Sequence, residues 1–283
     1  MFYTMEKGDL RVTVNDYGAE LTSIIFKGKE RLWQNDNGTW AGHAPVFFPH
    51  CGMCKVVVDG KTYPLYRHGF AQYCTFEVTE QAADLLCFTL RSNEETKKNY
   101  PFDFVLQFVY RIVNGDTLTI THEVFNPGEK ALYCAFGGHE SFALEKPLSE
   151  YELQFEKYEK FHSLTYNKDG GMDGGFDDLG EGETFAFIEN CFTKGTTAIF
   201  SKINSRKVTL AEKGGAAVAD VAFEGFDNLL LWRPEGGQTI CIEPWHNLPD
   251  DADDNGKEFS QKDGVSTVLP KQTLRFQRSI RYR

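Results

Sequence analysis

Short apolar runs separated by turn residues are the dominant pattern of this chain. The runs are rich in aromatic and β-branched residues, and they include LRVTVND, LTSIIF, FVLQFVYRIV, TLTITHEVF and NLLLWRP. Turn segments such as NDYG, VDGK and NPGEK lie between the runs, and helical periodicity is weak throughout. We therefore predict an all-β fold, built as one large antiparallel β domain over residues 1–283, and we favour a sandwich over a closed barrel.

Three segments bear on how the strands connect. The segment YRIVNGDTLTI predicts a hairpin, because Asn114-Gly115 suits a tight turn with positive φ at both residues. The segment LSEYELQFEKYEKF fits either a helix or a strand with its flank. Residues 167–183, NKDGGMDGGFDDLGEGE, are rich in glycine and acidic residues. A phosphate cradle needs a helix behind it and few acids, so we predict a mobile acidic surface loop here.

Composition and charge narrow the classes of function. The formal net charge of −11 would repel a nucleic-acid backbone, but it is compatible with a small sugar phosphate in a locally basic cavity. The chain has no run of about 18 apolar residues and its first ten residues lack an apolar run, so we expect neither a membrane partner nor a secretory signal. The seven cysteines are an odd number and lie mostly inside apolar runs, which indicates reduced thiols in a cytoplasmic protein.

The segment TICIEPW places a carboxylate in an apolar strand. Strand alternation puts Thr239, Cys241 and Glu243 on one face. Pro244 donates no amide hydrogen, so we predict that the ladder ends there and leaves Glu243 at the strand end. Glu243 could then act as a general base with a pKa adjusted by its apolar neighbours, or it could pair with Arg233 on the adjacent predicted strand.

A histidine and two tryptophans are further candidates for a site at the strand ends. In the segment CAFGGHESF, two glycines precede His139 and allow a sharp bend of the backbone. His139 could exchange a proton near neutral pH, or it could be a core histidine bonded to a backbone carbonyl. A hairpin of NLLLWRP and TICIEPW would bring Trp232 and Trp245 near one strand end, where an indole face can stack on a sugar ring.

Two segments offer partial metal-ligand patterns. The potential zinc ligands of WAGHAPVFFPHCGMC are His43, His50, Cys51 and Cys54. Two of them have C-x₂-C spacing, but no second ligand pair follows, so the two prolines that bracket VFF favour an edge segment at the rim of a cleft. The segment DADDNG matches the first half of a calcium loop, but its twelfth position is Lys262, where a bidentate glutamate is needed. We predict a solvated acidic turn there.

Taken in order, five segments resemble the aldose 1-epimerase (galactose mutarotase-like) superfamily, and in particular its LacX-type branch. They are NDYGAELTSI, APVFFPHCG, GKTYPLYRHGFAQYCTFEV, GGHESF and NLLLWRPEGGQTICIEPWHNLPD. The resemblance spans nearly the whole chain, and five segments in this order are specific for the family but not for the substrate.

The resemblance implies a fold and a reaction. The implied fold is a large antiparallel β-supersandwich with an open cleft, in which His139 and Glu243 match the catalytic residues and His68 matches a histidine that contacts the sugar. Glu243 would take the proton of the anomeric hydroxyl and protonated His139 would donate to the ring oxygen, the two groups meeting across a gap one sugar ring wide. The opened hexose then closes on its other face. The resemblance implies no metal and no organic cofactor, and we expect a small-molecule sugar as partner of a monomer or homodimer.

The chain departs from the family pattern at three positions. These are Met53, Gln72 and Gly195, where relatives often carry arginine or lysine, arginine, and aspartate, respectively. Because two basic residues are missing, the interpretation as a hexose-6-phosphate 1-epimerase is weakened. The candidate replacements in sugar binding are His43, Asp227 and Arg233. The alternatives are a catalytically inactive carbohydrate-binding protein on the same fold and a lyase or glycoside hydrolase, although a hydrolase normally needs two carboxylates.

Overall fold

The computed structural model describes residues 1–188, 191–192 and 196–283. Its strands are β1 (Phe2–Lys7), β2 (Leu10–Asn15), β3 (Glu20–Phe26), β4 (Lys29–Glu30), β5 (Val56–Val58), β6 (Lys61–Tyr63), β7 (Glu77–Ala82), β8 (Leu85–Arg91), β9 (Val105–Val113), β10 (Thr117–Phe125), β11 (Leu132–Cys134), β12 (Glu140–Ala143), β13 (Tyr151–Tyr166), β14 (Met172–Ala186), β15 (Thr197–Phe200), β16 (Lys207–Glu212), β17 (Ala217–Ala222), β18 (Asn228–Trp232), β19 (Thr239–Trp245), β20 (Ser266–Val268) and β21 (Thr273–Tyr282). The helical elements of the described residues are α1 (Glu94–Asn99) and 3₁₀ turns at Ala71–Tyr73, Leu148–Glu150 and Phe259–Gln261. The all-β prediction is confirmed.

Two antiparallel sheets form the layers of the fold. The larger sheet has the order β12-β19-β18-β15-β13-β16-β17-β21-β10-β9-β8-β7, with β14 paired to β13, and the smaller has the order β1-β2-β3-β4. The smaller sheet packs on the larger one, because Phe26 of β3 stacks on Tyr282 of β21 with ring centroids 5.7 Å apart. The hydroxyl of Tyr110 in β9 also donates to the Ala19 carbonyl at 2.6 Å. These contacts close an apolar core between the layers.

Strand alternation decides which side chains enter this core. In β9 the fully buried residues alternate with partly exposed ones, and they are Leu106, Phe108, Tyr110 and Ile112. Strand β19 differs, because all of its residues are buried. It lies between β12 and β18 and is covered on both faces. Any charged group on β19 is therefore removed from water.

The predicted hairpin at Asn114-Gly115 is confirmed. It joins β9 and β10, whose register runs from Val113 opposite Thr117 to Val105 opposite Phe125. Asn114 has φ 56° and Gly115 has φ 73°, the left-handed conformation that asparagine and glycine adopt most readily.

The segment at 148–186 resolves one open alternative and corrects one prediction. After the 3₁₀ turn, β13 is a long strand and not a helix. The prediction of a loop at 167–183 is wrong, because β14 runs through most of that range and pairs antiparallel with β13. Glycines at positive φ, Gly174 and Gly182, absorb the irregular register of this pair. The acidic and glycine-rich composition indicated an exposed segment here, but hydrogen bonding to β13 determined that its backbone is a strand.

The described helices are short. The helix α1 has an N-terminal capping box, in which the Asn93 side chain accepts from the Thr96 amide at 2.9 Å. Within the described ranges, no helix has the length and apolarity needed to cross a bilayer.

Candidate active site

Strand β19 delivers Glu243 into the interior of the larger sheet. Glu243 lies opposite Leu230 of β18, while Ile242 lies opposite Glu140 of β12. The prediction that the ladder ends at Pro244 is wrong, because β19 continues to Trp245. Proline is tolerated since β12 begins only at Glu140, so the chain facing Pro244 on that side is a glycine turn. The amide of Gly138 in that turn donates to the Pro244 carbonyl at 3.0 Å.

The Glu243 carboxyl group has few partners for a buried acid. It is 1% exposed, its Oε2 accepts from Trp245 Nε1 at 3.2 Å, and its Oε1 lies 3.4 Å from His139 Nε2. Burial raises the pKa of Glu243 well above its ordinary value, and the bond from Trp245 offsets only part of this effect. The alternative pairing with Arg233 is not seen, since that guanidinium lies 5.6 Å from the ring of Phe192 instead.

A turn of two glycines carries His139 to the carboxyl group. A Cβ on Gly137 would lie 2.7 Å from the ring of Phe47, and one on Gly138 would lie 2.6 Å from Cζ of Arg278. Both positions therefore need glycine, because the backbone passes so close to these side chains. His139 is stacked against Trp40, with ring centroids 5.1 Å apart.

The imidazole of His139 is buried and neutral in this setting. Burial lowers its pKa to about 4, and its Nδ1 has no hydrogen-bond partner among the residues that the structure describes. Because burial raises the pKa of Glu243 and lowers that of His139, a single proton held by the two groups favours the carboxyl group. A contact of 3.4 Å between Oε1 and Nε2 allows the proton to pass between them after a small approach.

His68 adds a fixed hydrogen-bond donor beside this pair. Its Nδ1 accepts from the Gly52 amide at 3.0 Å, so in the neutral ring Nε2 carries the hydrogen. Burial is the main cause that lowers the pKa of His68 well below its ordinary value, which keeps the ring neutral. The ring is stacked on Phe47 at a centroid distance of 3.8 Å, and this contact fixes its orientation.

One cavity brings these three side chains together. It has a volume of about 340 Å³, and its lining includes His68, His139, Glu243, Trp40, Arg67, Tyr166, Trp232 and Trp245. A space of this size with aromatic walls and a few polar groups is typical of a site for a small molecule. Met53 and Gln72 also line it, whereas Gly195 lies outside the described residues.

The tryptophans reach the cavity in a way that the sequence did not predict. Trp232 lies opposite Cys241 and Trp245 lies opposite Asn228, so the two indoles stand at opposite ends of the hairpin and not near one end. Both still line the cavity, because Glu243 lies between them on β19. Trp40 and Arg67 also line the cavity, and neither was predicted from the sequence. Arg67 directly precedes His68 and could have been found from that position, whereas no signal marks Trp40.

Three proposed sugar-binding residues are not among the cavity-lining residues. The amide of His43 donates to Glu20 at 2.7 Å, and Asp227 forms an ion pair of 2.6 Å with Arg206. Arg233 points its guanidinium towards Phe192, as described above. The sequence did not reveal which partners each of these side chains would have.

The acidic segment at 250–254 surrounds a lysine. Lys262 Nζ lies 2.5 Å from Asp250 Oδ1 and 3.0 Å from Asp254 Oδ2. The ammonium group therefore occupies the position that a cation would take between these carboxylates, which agrees with an acidic turn and not with a calcium loop. A larger cavity of about 410 Å³ adjoins this ion pair, but it contains no acid–base pair of the kind formed by Glu243 and His139.

One group of side chains has the spacing of a metal site. Within the described residues, donor atoms of His139, Cys241 and Glu243 lie within 4.8 Å of one another, and no such group includes Cys51 and Cys54. Burial raises the pKa of the Cys241 thiol well above its ordinary value, which opposes the thiolate that a metal needs. A metal there would also bind Glu243 Oε1 and His139 Nε2, the two atoms between which the proton would pass. The chemistry of the group therefore favours proton transfer.

Comparison with known proteins agrees with this arrangement. A sequence model of the family described as aldose 1-epimerase matches residues 1–265. The chromosomal LacX protein of Lactococcus lactis is 29% identical in an alignment 287 positions long, which covers 93% of each chain. A galactose mutarotase related enzyme from Lactobacillus acidophilus is 26% identical, with a TM-score of 0.91 over 100% of this chain and 97% of that one. A galactose mutarotase-like protein from Lactobacillus casei is 25% identical, with a TM-score of 0.91 over 100% of both chains. The predicted fold class is confirmed.

Proposed function

Because the chain belongs to the aldose 1-epimerase family, we propose that it interconverts the α and β anomers of a hexose by acid–base catalysis. The observation that carries this proposal is the contact of 3.4 Å between Glu243 Oε1 and His139 Nε2 in a cavity lined by aromatic side chains. The cavity volume of about 340 Å³ supports a single sugar ring as substrate.

The spacing of the two groups suits the two oxygens that react. In a pyranose, the anomeric hydroxyl oxygen and the ring oxygen are bonded to the same carbon, C1. A proton acceptor and a proton donor must therefore reach neighbouring atoms. We expected the two side chains to face each other across a sugar ring, but they are in contact. The sugar would thus present its C1 edge to the pair.

The reaction conserves the single proton of the pair. Transfer of the proton from Glu243 to His139 prepares a carboxylate and an imidazolium. The carboxylate takes the hydrogen of the anomeric hydroxyl while the imidazolium donates to the ring oxygen, so the C1–O5 bond breaks and a C1 aldehyde forms. Rotation about C1–C2 and the reverse transfers close the other anomer. Each proton transfer of this kind contributes roughly 10²–10⁴-fold to the rate.

The surrounding side chains would hold the sugar. The Nε2 hydrogen of His68 can donate to a hydroxyl oxygen, and the guanidinium of Arg67 offers further donors. The indole faces of Trp232 and Trp245 can cover the apolar side of the ring. Arg67 could also pair with a phosphate, so a hexose 6-phosphate is a second candidate substrate.

The state of the cysteines supports a reducing compartment. All seven lie within the described residues and all are free. We therefore propose that the protein acts in the cytoplasm.

Anomer exchange measured by NMR, or by polarimetry after dissolving pure α-glucose or α-galactose, tests the proposal. We expect catalysed equilibration that His139→Ala and Glu243→Gln each reduce by at least the roughly 10²-fold of one proton transfer. His162→Ala is a matched control, because this histidine is stacked on Phe176 outside the cavity.

The same assay separates the alternatives. Saturable sugar binding without faster exchange would show a catalytically inactive carbohydrate-binding protein. Exchange of glucose 6-phosphate alone, lost in Arg67→Gln, would identify the phosphorylated sugar as substrate.

A further inference from the structure

A buried ion pair lies directly beneath the turn that carries His139. Arg278 of β21 is 4% exposed and Glu140 of β12 is 2% exposed, and Arg278 Nη1 donates to Glu140 Oε2. Arg278 Nε donates to His122 Nε2 at 2.9 Å. Burial is the main cause that lowers the pKa of His122 well below its ordinary value, so this ring stays neutral and accepts the bond. The mechanism described above makes no use of these three side chains.

The guanidinium of Arg278 touches the backbone on which both catalytic residues depend. A Cβ on Gly138 would lie 2.6 Å from Arg278 Cζ, so the turn rests on the guanidinium plane. The Gly138 amide donates to the carbonyl of Pro244, which directly follows Glu243. A displacement of Arg278 would therefore be transmitted to the turn before His139 and to the end of β19.

Arg278 also balances a negative charge beside the pair. Glu140 follows His139 in the chain, and its charge contributes to the raised pKa of Glu243. For as long as Glu140 remains ionised, loss of the Arg278 charge would further oppose the ionisation of Glu243, because charges interact strongly where water is excluded. Among the described residues, further titratable or charged groups beside Glu243 include His139, Cys241, Cys51 and Arg67.

We propose that Arg278 is a positioning residue, which supports the glycine turn before His139 and neutralises Glu140 next to the catalytic pair. Its catalytic consequence rests on the proposed epimerase activity, but its electrostatic consequence does not. A buried ion pair by itself adds little net stability, since desolvation offsets the attraction. The position of the Arg278–Glu140 ion pair beneath the catalytic pair therefore supports a positioning role and not a stabilising one.

Titration of Glu243 by ¹³C-carboxyl NMR, assigned with Glu243→Gln, tests the electrostatic part without any turnover. Arg278→Met leaves Glu140 unbalanced, and we expect the pKa of Glu243 to rise by on the order of one unit. Glu140→Gln leaves Arg278 unbalanced and should lower it by a similar amount. In the double variant the two shifts should cancel. Arg206→Met, which removes the partner of Asp227 outside the cavity, should leave the pKa of Glu243 unchanged.

Kinetics then test the positioning part. Arg278→Met should lower kcat by about tenfold, a one-unit rise in the proton affinity of Glu243, with little change in KM, and its alkaline pH limb should move in the opposite direction to that of Glu140→Gln. Arg278→Lys keeps the charge but loses the planar contact with the turn, so kcat should fall while the pKa of Glu243 stays close to that of the parent.

Several outcomes would overturn the proposal. A role in folding alone predicts a lower melting temperature with no change in the Glu243 pKa in either single variant. Shifts of the same sign in Arg278→Met and Glu140→Gln would also contradict it. If Arg278→Met does not fold, Glu140→Gln and Arg278→Lys still decide the question, because each predicts a different pKa result. If the NMR shifts appear but no variant or parent shows anomer exchange, the electrostatic role stands and the proposed activity fails.

Discussion

The loop that holds His68 allows a sharp test with two glycine substitutions. Gly69 has φ +79°, and a Cβ there would lie 2.0 Å from the carbonyl oxygen of Phe48. Gly28 has φ +76° at the turn between β3 and β4, and a Cβ there would meet nothing within 4 Å. The two positions therefore share a backbone conformation and differ in the space around it. Gly69→Ala and Gly28→Ala form a matched pair.

The expected magnitudes follow from these distances. A left-handed conformation costs an alanine roughly 1–2 kcal/mol, and this cost is common to both variants. Only Gly69→Ala also forces the backbone apart. The Phe48 carbonyl cannot move freely, because it accepts from the Phe70 amide at 3.0 Å, and overpacking of this kind typically costs about 1–3 kcal/mol. We expect losses of about 1–2 kcal/mol for Gly28→Ala and about 2–5 kcal/mol for Gly69→Ala.

Urea unfolding, followed by circular dichroism, measures both losses. The effect of alanine on the unfolded chain is the same in the two variants, so their difference isolates the clash. We also expect Gly69→Ala to weaken sugar binding, because the His68 ring would lose its contact with the Gly52 amide, whereas Gly28→Ala should bind sugar normally. Equal losses of stability in the two variants, or unchanged sugar binding in Gly69→Ala, would contradict this prediction.

Three further predictions concern the catalytic pair. The catalysed rate should fall as the pH drops below about 4, because His139 is then protonated while Glu243 still holds its proton. The rate should fall again above the raised pKa of Glu243, where the pair loses its only proton. A stopped-flow pH profile that lacks either limb would contradict this prediction. Trp245→Phe removes the hydrogen bond from Trp245 Nε1 that favours the Glu243 carboxylate, so the alkaline limb should move upward, and a downward movement would be inconsistent with the geometry. Treatment with a chelator, followed by metal analysis and the exchange assay, should leave the rate unchanged, because proton transfer needs no metal; a loss restored by zinc would show otherwise.

Much of the site could be predicted because the relevant signals are local. Alternation placed Cys241 and Glu243 on one strand face, and the structure brings both within 4.8 Å of His139. The two glycines before His139 indicated a backbone bend, and the structure shows what requires them. By contrast, Arg278 lies 138 residues after Glu140, and no periodicity connects two positions so far apart.

The short apolar strands, the Asn114-Gly115 turn and the residue types available for proton transfer follow from the sequence alone, because they depend on side-chain period and on the conformations each residue allows. The folded arrangement determined that residues 172–186 form a strand, that β19 passes through Pro244, and that His43, Asp227 and Arg233 are not among the residues that line the cavity. It also decided the protonation of the pair. The pairing of β12 with β19 brings residues 139 and 243 into contact, and removal of water from both sets the direction of each pKa.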